Sequence, residues 1–171
     1  QIDAALFINY PYGIPVIGWE NEILELETKD IVEFYETWYS PNNAVLVVSG
    51  DVSSSQVFEL AKSSYGKVPF RFVPLRERVL EPFARVEKKV ILKDEKVGYP
   101  TWIRRWVVPS YSSNYKDKAF AIEVFVEILG GSLSSRLYSS LVVDQPLAVS
   151  TGAWYFPNYL GESSLGIWIS P

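Results

Sequence analysis

The stretch "ETKDIVEFYETWYSPNNAVLVVSGDV", residues 27–52, changes its hydrophobic period midway, and that change decides the fold class. In its first half Ile31, Val32, Phe34, Tyr35, Trp38 and Tyr39 fall on one broad face of a helix. Thr28 is the expected N-cap, and Asp30 sits in the first turn, where the helix dipole favours an acid. "SPNN" (Ser40 to Asn43) stops the helix and turns the chain. Ala44 to Ser49 is then apolar and β-branched almost throughout, the pattern of a strand covered on both faces. Beyond it, Ser53 and Gln56 have the spacing of a capping box that opens a second helix, with Gly66 as its expected C-cap. Helix, central strand and helix make an α/β layer, and the two halves of the chain share a mixed α+β plan.

Outward from this layer the pattern changes twice. Upstream, Pro11, Gly13 and Pro15 mark an irregular entry loop. Downstream, residues 67–84 lose both periods, and Pro69, Pro74 and Pro82 punctuate a basic stretch that reads as an interdomain linker of extended, polyproline-like character. A second unit begins at Arg85. "RVEKKVILKDE" and "GYPTWIRRWVVP" read as strands, and "NYKDKAFAIEVFVEILGG" as a helix capped by Asn114 and ended by Gly130 and Gly131. A shorter helix starts near Ser132, and two strands, "LAVSTGAWYF" and "SSLGIWISP", meet at a turn around Asn158 to Gly161.

Composition narrows the chemistry. The 171 residues are 48% hydrophobic and 15% aromatic, enough for a sizeable core. A net charge of −4 without a basic face argues against nucleic acid as the main partner. The longest apolar runs are too short to span a bilayer. There is no cysteine, hence no disulfide or thiolate metal site, and no histidine, hence no Ser-His-Asp triad and no imidazole-bound zinc within these residues. Glu20, Glu22, Glu25 and Glu27 cluster, but they interleave with Ile23, Leu24 and Leu26 and read as a solvent-facing edge. Of Arg104 and Arg105, flanked by Trp102 and Trp106, one is expected to pack on an aromatic ring and the other to reach solvent or an interface. Arg136 and Tyr138, two residues apart on a helix, cannot face the same way.

With those elements in order, "YPYGIPVIGW" (residues 10–19), "PNNAVLVVSGDV" (41–52), "VVPSY" (107–111) and "LGGSLSSRLY" (129–138) resemble the pitrilysin/insulinase-type zinc metallopeptidases and their processing-peptidase relatives, in the bacterial branch. The resemblance covers nearly the whole chain. It implies mixed sheets with helices packed on one side, in two related domains that are both partial here. Residues 1–66 would be the C-terminal part of the first, zinc-bearing domain, 67–84 the linker, and 85–171 most of the second domain, which carries no metal. The family's His-x-x-Glu-His motif and third glutamate ligand would lie upstream of Gln1, so zinc is implied for the parent protein and for no residue here. Tyr10 stands where many relatives have a non-ligand histidine.

The same resemblance fixes what the second domain lacks. Members whose second domain assists catalysis carry an arginine and a tyrosine after the "SRLY" helix start, aimed at the carbonyl oxygen on which charge develops. The pattern places Val142 at the arginine position and Val149 at the tyrosine position, with Pro146 replacing the usual glycine. No catalytic, metal or substrate-binding residue is therefore expected in this chain. The readings in play are a non-catalytic part of a zinc endopeptidase that degrades peptides in an enclosed chamber, a scaffold subunit without the metal site, and a peptide-binding module that adds strands to a sheet edge. Expected partners are peptide substrates and a homologous subunit, with no membrane span. The likeness to often-exported bacterial proteins suggests the periplasm or envelope, without fixing it.

Overall fold

The computed structural model describes residues 2–82 and 85–171. The helices are α1 (Ile2–Leu6), α2 (Glu20–Leu24), α3 (Thr28–Trp38), α4 (Ser54–Ser63), α5 (Asp117–Gly130) and α6 (Arg136–Tyr138). The strands are β1 (Trp102–Val108), β2 (Ser150–Tyr155) and β3 (Ser163–Ser170). The chain divides into two compact units, one made of residues up to Ile17 together with Arg78–Pro171, the other of Gly18–Glu77. The fold is α+β.

In the larger unit, β3 is the central strand of an antiparallel sheet ordered β1-β3-β2. Trp102 pairs with Ile169 at one end of the β1–β3 ladder and Val108 with Ser163 at the other. In the β2–β3 hairpin each indole faces a glycine: Trp154 pairs with Gly166 and Trp168 with Gly152. A Cβ on Gly166 would lie 2.5 Å from Trp154 Cε2, and one on Gly152 would lie 2.7 Å from Trp168 Nε1, so the rings lie on bare backbone. The same economy joins helix to sheet. A Cβ on Gly130, the last residue of α5, would meet the backbone nitrogen of Ala153 and stand 2.8 Å from Gly152 C. The "LGG" stretch thus ends α5 where its backbone touches β2.

The apolar core, Phe7, Tyr10, Ala119, Val126, Ala148 and Leu165, lies entirely in this unit. Buried serines hold its turns. Ser110 Oγ lies 2.9 Å from Tyr159 O, and Ser163 Oγ donates to Phe156 O at 2.6 Å. These bonds satisfy hydroxyls that would be costly to bury alone.

The smaller unit contains the stretch that opened the sequence reading. Helix α3 forms as its period predicts, but Glu27 is the N-cap. The Glu27 side chain accepts from the Asp30 backbone while Asp30 Oδ2 accepts from Glu27 N at 2.8 Å. The capping box of Ser53 and Gln56 is present at the start of α4. Gly66 is not its C-cap: α4 ends at Ser63 with Ser64 as C-cap, and Gly66 lies in a following 3-10 turn, Tyr65–Lys67. The larger correction concerns Ala44 to Ser49. The segment is extended but joins no ladder, and Val45 and Val47 are 90% and 83% exposed. A strand needs a neighbour for its N–H and C=O groups, and none of the described residues supplies one. Ser40 is the one buried residue of this unit among those described.

Three further expectations shift. Residues 85–95 form no strand and are exposed, again for want of a ladder partner. Helix α5 starts at Asp117 after Lys116, three residues beyond the expected cap Asn114. The short helix starts at Arg136 with Ser135 as N-cap, then widens into a π-helical turn, Ser139–Asp144. No described helix is long and apolar enough to cross a membrane.

Candidate functional site

Val142 and Val149 flank one local structure. Val142 lies half-buried in the π-helical turn, and Val149 stands 78% exposed just before β2. Between them the chain folds back: Leu147 N and Ala148 N donate to Leu141 O at 3.0 and 3.1 Å, and Val149 N donates to Ser170 O at 2.8 Å. Pro146, which has no N–H to contribute, occupies the bend. This frame can present side chains, but neither valine carries a hydrogen-bond donor.

Among the described residues no three His, Cys, Asp or Glu side chains converge as a metal site. Glu20 and Glu22 lie in the first turn of α2, while Glu27 caps α3 and pairs with Lys29 at 2.7 Å. Each has a local helical role.

The two arginines of β1 separate as alternate strand positions must. The Arg104 guanidinium lies 5.4 Å from the Trp106 ring centroid and 3.4 Å from Glu87, on the exposed face. The Arg105 side chain is only 11% exposed. It donates to Asp3 Oδ1 at 2.5 Å and Ser164 Oγ at 2.8 Å, tying α1 to the sheet. Its Nε has no partner among the described residues. A charge taken this far from water persists because Asp3 compensates it.

The remaining polar constellation was not foreseen from sequence. Glu81, in the linker stretch, lays its carboxylate across three consecutive backbone amides, accepting from Ile8 N at 2.7 Å, Asn9 N at 3.0 Å and Tyr10 N at 2.8 Å. This clasp borders a small surface cleft lined by Tyr10, Arg78, Leu80, Asn114, Leu160 and Glu162, with a cavity volume of about 90 Å³. Tyr10 is buried, its ring 5.0 Å from that of Tyr12 and packed onto Gly161. Burial, reinforced by Tyr12 and opposed by Arg78, pushes the Tyr10 phenol up from its ordinary pKa. Burial also pushes the Glu162 carboxyl up. Neither Arg78 nor Glu162 makes an ion pair or a side-chain hydrogen bond among the described residues.

Against this geometry the comparisons with known proteins are direct. Residues 25–170 match the family described as "Peptidase M16 inactive domain". The chain belongs to that family. It is 30% identical over 146 residues to the zinc protease PqqE of Helicobacter pylori, covering 83% of this chain and 32% of that protein. It is 25% identical over 148 residues to the non-peptidase homolog YmxG of the same organism, covering 85% of this chain and 32% of that protein. The crystal structure of a protease from Helicobacter pylori superposes with a TM-score of 0.74 at 27% identity, over 96% of this chain and 39% of that one. The chain thus spans about a third of the length of the curated relatives it matches.

Proposed function

We propose that this chain is a non-catalytic portion of a longer zinc endopeptidase that processes peptides in an enclosed chamber, and that it forms part of the chamber wall. The observation that carries the reading is the bare apolar layer of Gly18–Glu77. Two amphipathic helices, α3 and α4, flank an extended β-branched segment, and together they bury no apolar side chain. Such a layer gains its stability by packing against further polypeptide. In this reading residues 1–66 belong to the zinc-bearing domain, 67–84 to the linker and 85–171 to the second domain. Domains and compact units need not coincide, because residues 2–17 can dock on the second domain's sheet while the chain continues into the first.

Zinc in the parent protein is part of the proposal, as are peptide substrates and a homologous partner subunit. The resemblance to a named zinc protease supports the metal. Val142 and Val149 favour a division of labour, in which the second subunit supplies the arginine and tyrosine that these positions lack. A scaffold role is the competing reading, favoured by the same two valines and by similarity to a non-peptidase homolog. The test is to read the coding sequence upstream of Gln1 for His-x-x-Glu-His, then assay the zinc-loaded full-length protein alone and with the homologous subunit encoded beside it. Activity only in the mixture supports complementation. Full activity from the lone protein removes the need for it, and absence of the motif overturns the enzyme reading.

A further inference from the structure

We propose that the pocket between the end of α5 and the start of α6 binds a phosphate monoester carried on a hydroxyl-bearing body, such as a phosphorylated sugar. Ser135 and Arg136 would hold the phosphate, and Glu127 would accept from the neighbouring hydroxyls. The inference does not rest on the peptidase reading.

The pocket is lined by Glu127, Ile128, Ser132, Ser134, Ser135 and Arg136. Its volume of about 380 Å³ lies within the roughly 300–1,000 Å³ of small-molecule sites. The decisive group is the Ser135 hydroxyl. Ser135 is only 4% exposed, and its Oγ has no hydrogen-bond partner among the described residues. Its backbone is fully engaged: the nitrogen donates to Ser132 O at 3.1 Å, and the oxygen accepts from Ser139 N at 3.0 Å. As N-cap of α6, the hydroxyl would ordinarily accept from the first amides of that helix, and it makes no such bond. A hydroxyl buried without a partner is costly, so an acceptor entering the pocket that Ser135 lines would remove a standing penalty.

The neighbours decide what that acceptor is. Ser132 Oγ and Ser134 Oγ lie 3.1 Å apart, and since one donates to the other, one proton of the pair stays free. With the Arg136 guanidinium beside them, these donors suit an oxyanion, and the guanidinium fork matches phosphate. Glu127 is the one acid of the lining, its carboxylate folded back over Gly131 in the space a Cβ there would take. It would repel bare phosphate yet accept from hydroxyls beside it, while Ile128 offers a surface for the ligand's carbons.

The experiment is a calorimetric titration of the full-length protein with glucose 6-phosphate, glucose and inorganic phosphate. Glucose 6-phosphate should bind saturably. Each of the other two should bind about tenfold more weakly or worse, having lost at least one charge-assisted hydrogen bond. Ser135→Ala should weaken glucose 6-phosphate binding about tenfold. The same change should leave the melting temperature of the free protein unchanged or higher, because the hydroxyl it removes bonds nothing there. Arg136→Met should weaken binding similarly, with Arg136→Lys restoring part of it. Glu127→Gln should raise the affinity for inorganic phosphate by a larger factor than that for glucose 6-phosphate. Absence of saturable glucose 6-phosphate binding, equal binding of glucose or of inorganic phosphate, or undiminished binding by a folded Ser135→Ala variant would overturn the assignment.

Discussion

Replacing Gly130 by alanine sets two effects of opposite sign against each other. In an exposed helix the change stabilises by about 0.5–1 kcal/mol, because glycine gives up more backbone freedom than alanine on folding. At the last residue of α5 the new methyl would instead enter the backbone of β2, 2.8 Å from both Ala153 Cβ and Gly152 C and closer still to the Ala153 nitrogen. The obstacle is a laddered strand paired to β3, which cannot swing aside like the end of a side chain. Overpacking of this kind costs about 1–3 kcal/mol, so a net loss of about 1–2 kcal/mol is expected. With a urea slope of about 1–3 kcal/mol/M, the unfolding midpoint should fall by roughly 0.5–1 M. Tryptophan emission reads it directly, since Trp154 and Trp168 lie in the strands being pushed. Gly98→Ala is the control, because no atom lies within 4 Å of its added Cβ. If Gly130→Ala proves as stable as the parent or more so, the close helix–strand approach is not what this glycine provides.

The Glu81 clasp predicts that Glu81→Ala costs about 1–2 kcal/mol, the scale of charged hydrogen bonds at a partly exposed site, with faster hydrogen exchange at Ile8, Asn9 and Tyr10. Burial raises the Tyr155 phenol to about 12, and its hydroxyl donates to Pro109 O at 2.6 Å. The unfolded chain ionises first, so stability should fall as the pH rises from about 10 to 12. Tyr155→Phe should be less stable than the parent by about 1 kcal/mol at pH 7, and denaturation across pH should show that deficit shrinking over this alkaline range. Glu162 has the opposite practical outcome: its carboxyl is raised by burial, so its ionisation penalises the folded state. Glu162→Gln should match the parent below the ordinary carboxylate range and exceed it in thermal stability at pH 7. Equal stability at both pH values would refute the desolvation argument.

What the sequence made legible was local. The helical period of Ile31 to Trp38, the Ser53–Gln56 box and the β2–β3 hairpin are all written in neighbours a few residues apart, and all appear. Thr28 was a reasonable cap by preference, yet Glu27 wins because its carboxylate and that of Asp30 satisfy each other's backbone amides. Ala44 to Ser49 has the residues of a strand but not its partner, and pairing is a property of two segments. That Val142 and Val149 carry no hydrogen-bond donor follows from residue type alone. The Tyr10–Arg78–Glu162 cleft could not be read that way, since its walls come from the entry loop, the linker and the β2–β3 turn, and no period or spacing links them.

The carboxylate of Glu81, bound to the amides of residues 8–10, also acts as a mechanical fastening. It fixes the chain a few residues before it departs at Ile17 and again a few residues after it returns at Arg78. Everything from Gly18 to Glu77 is therefore an excursion whose two ends are sewn to the same seam. Tension applied to that excursion would be carried by the seam before it reached the sheet. Segments could be lengthened, swapped or allowed to unfold within the excursion while β1, β2 and β3 kept their alignment.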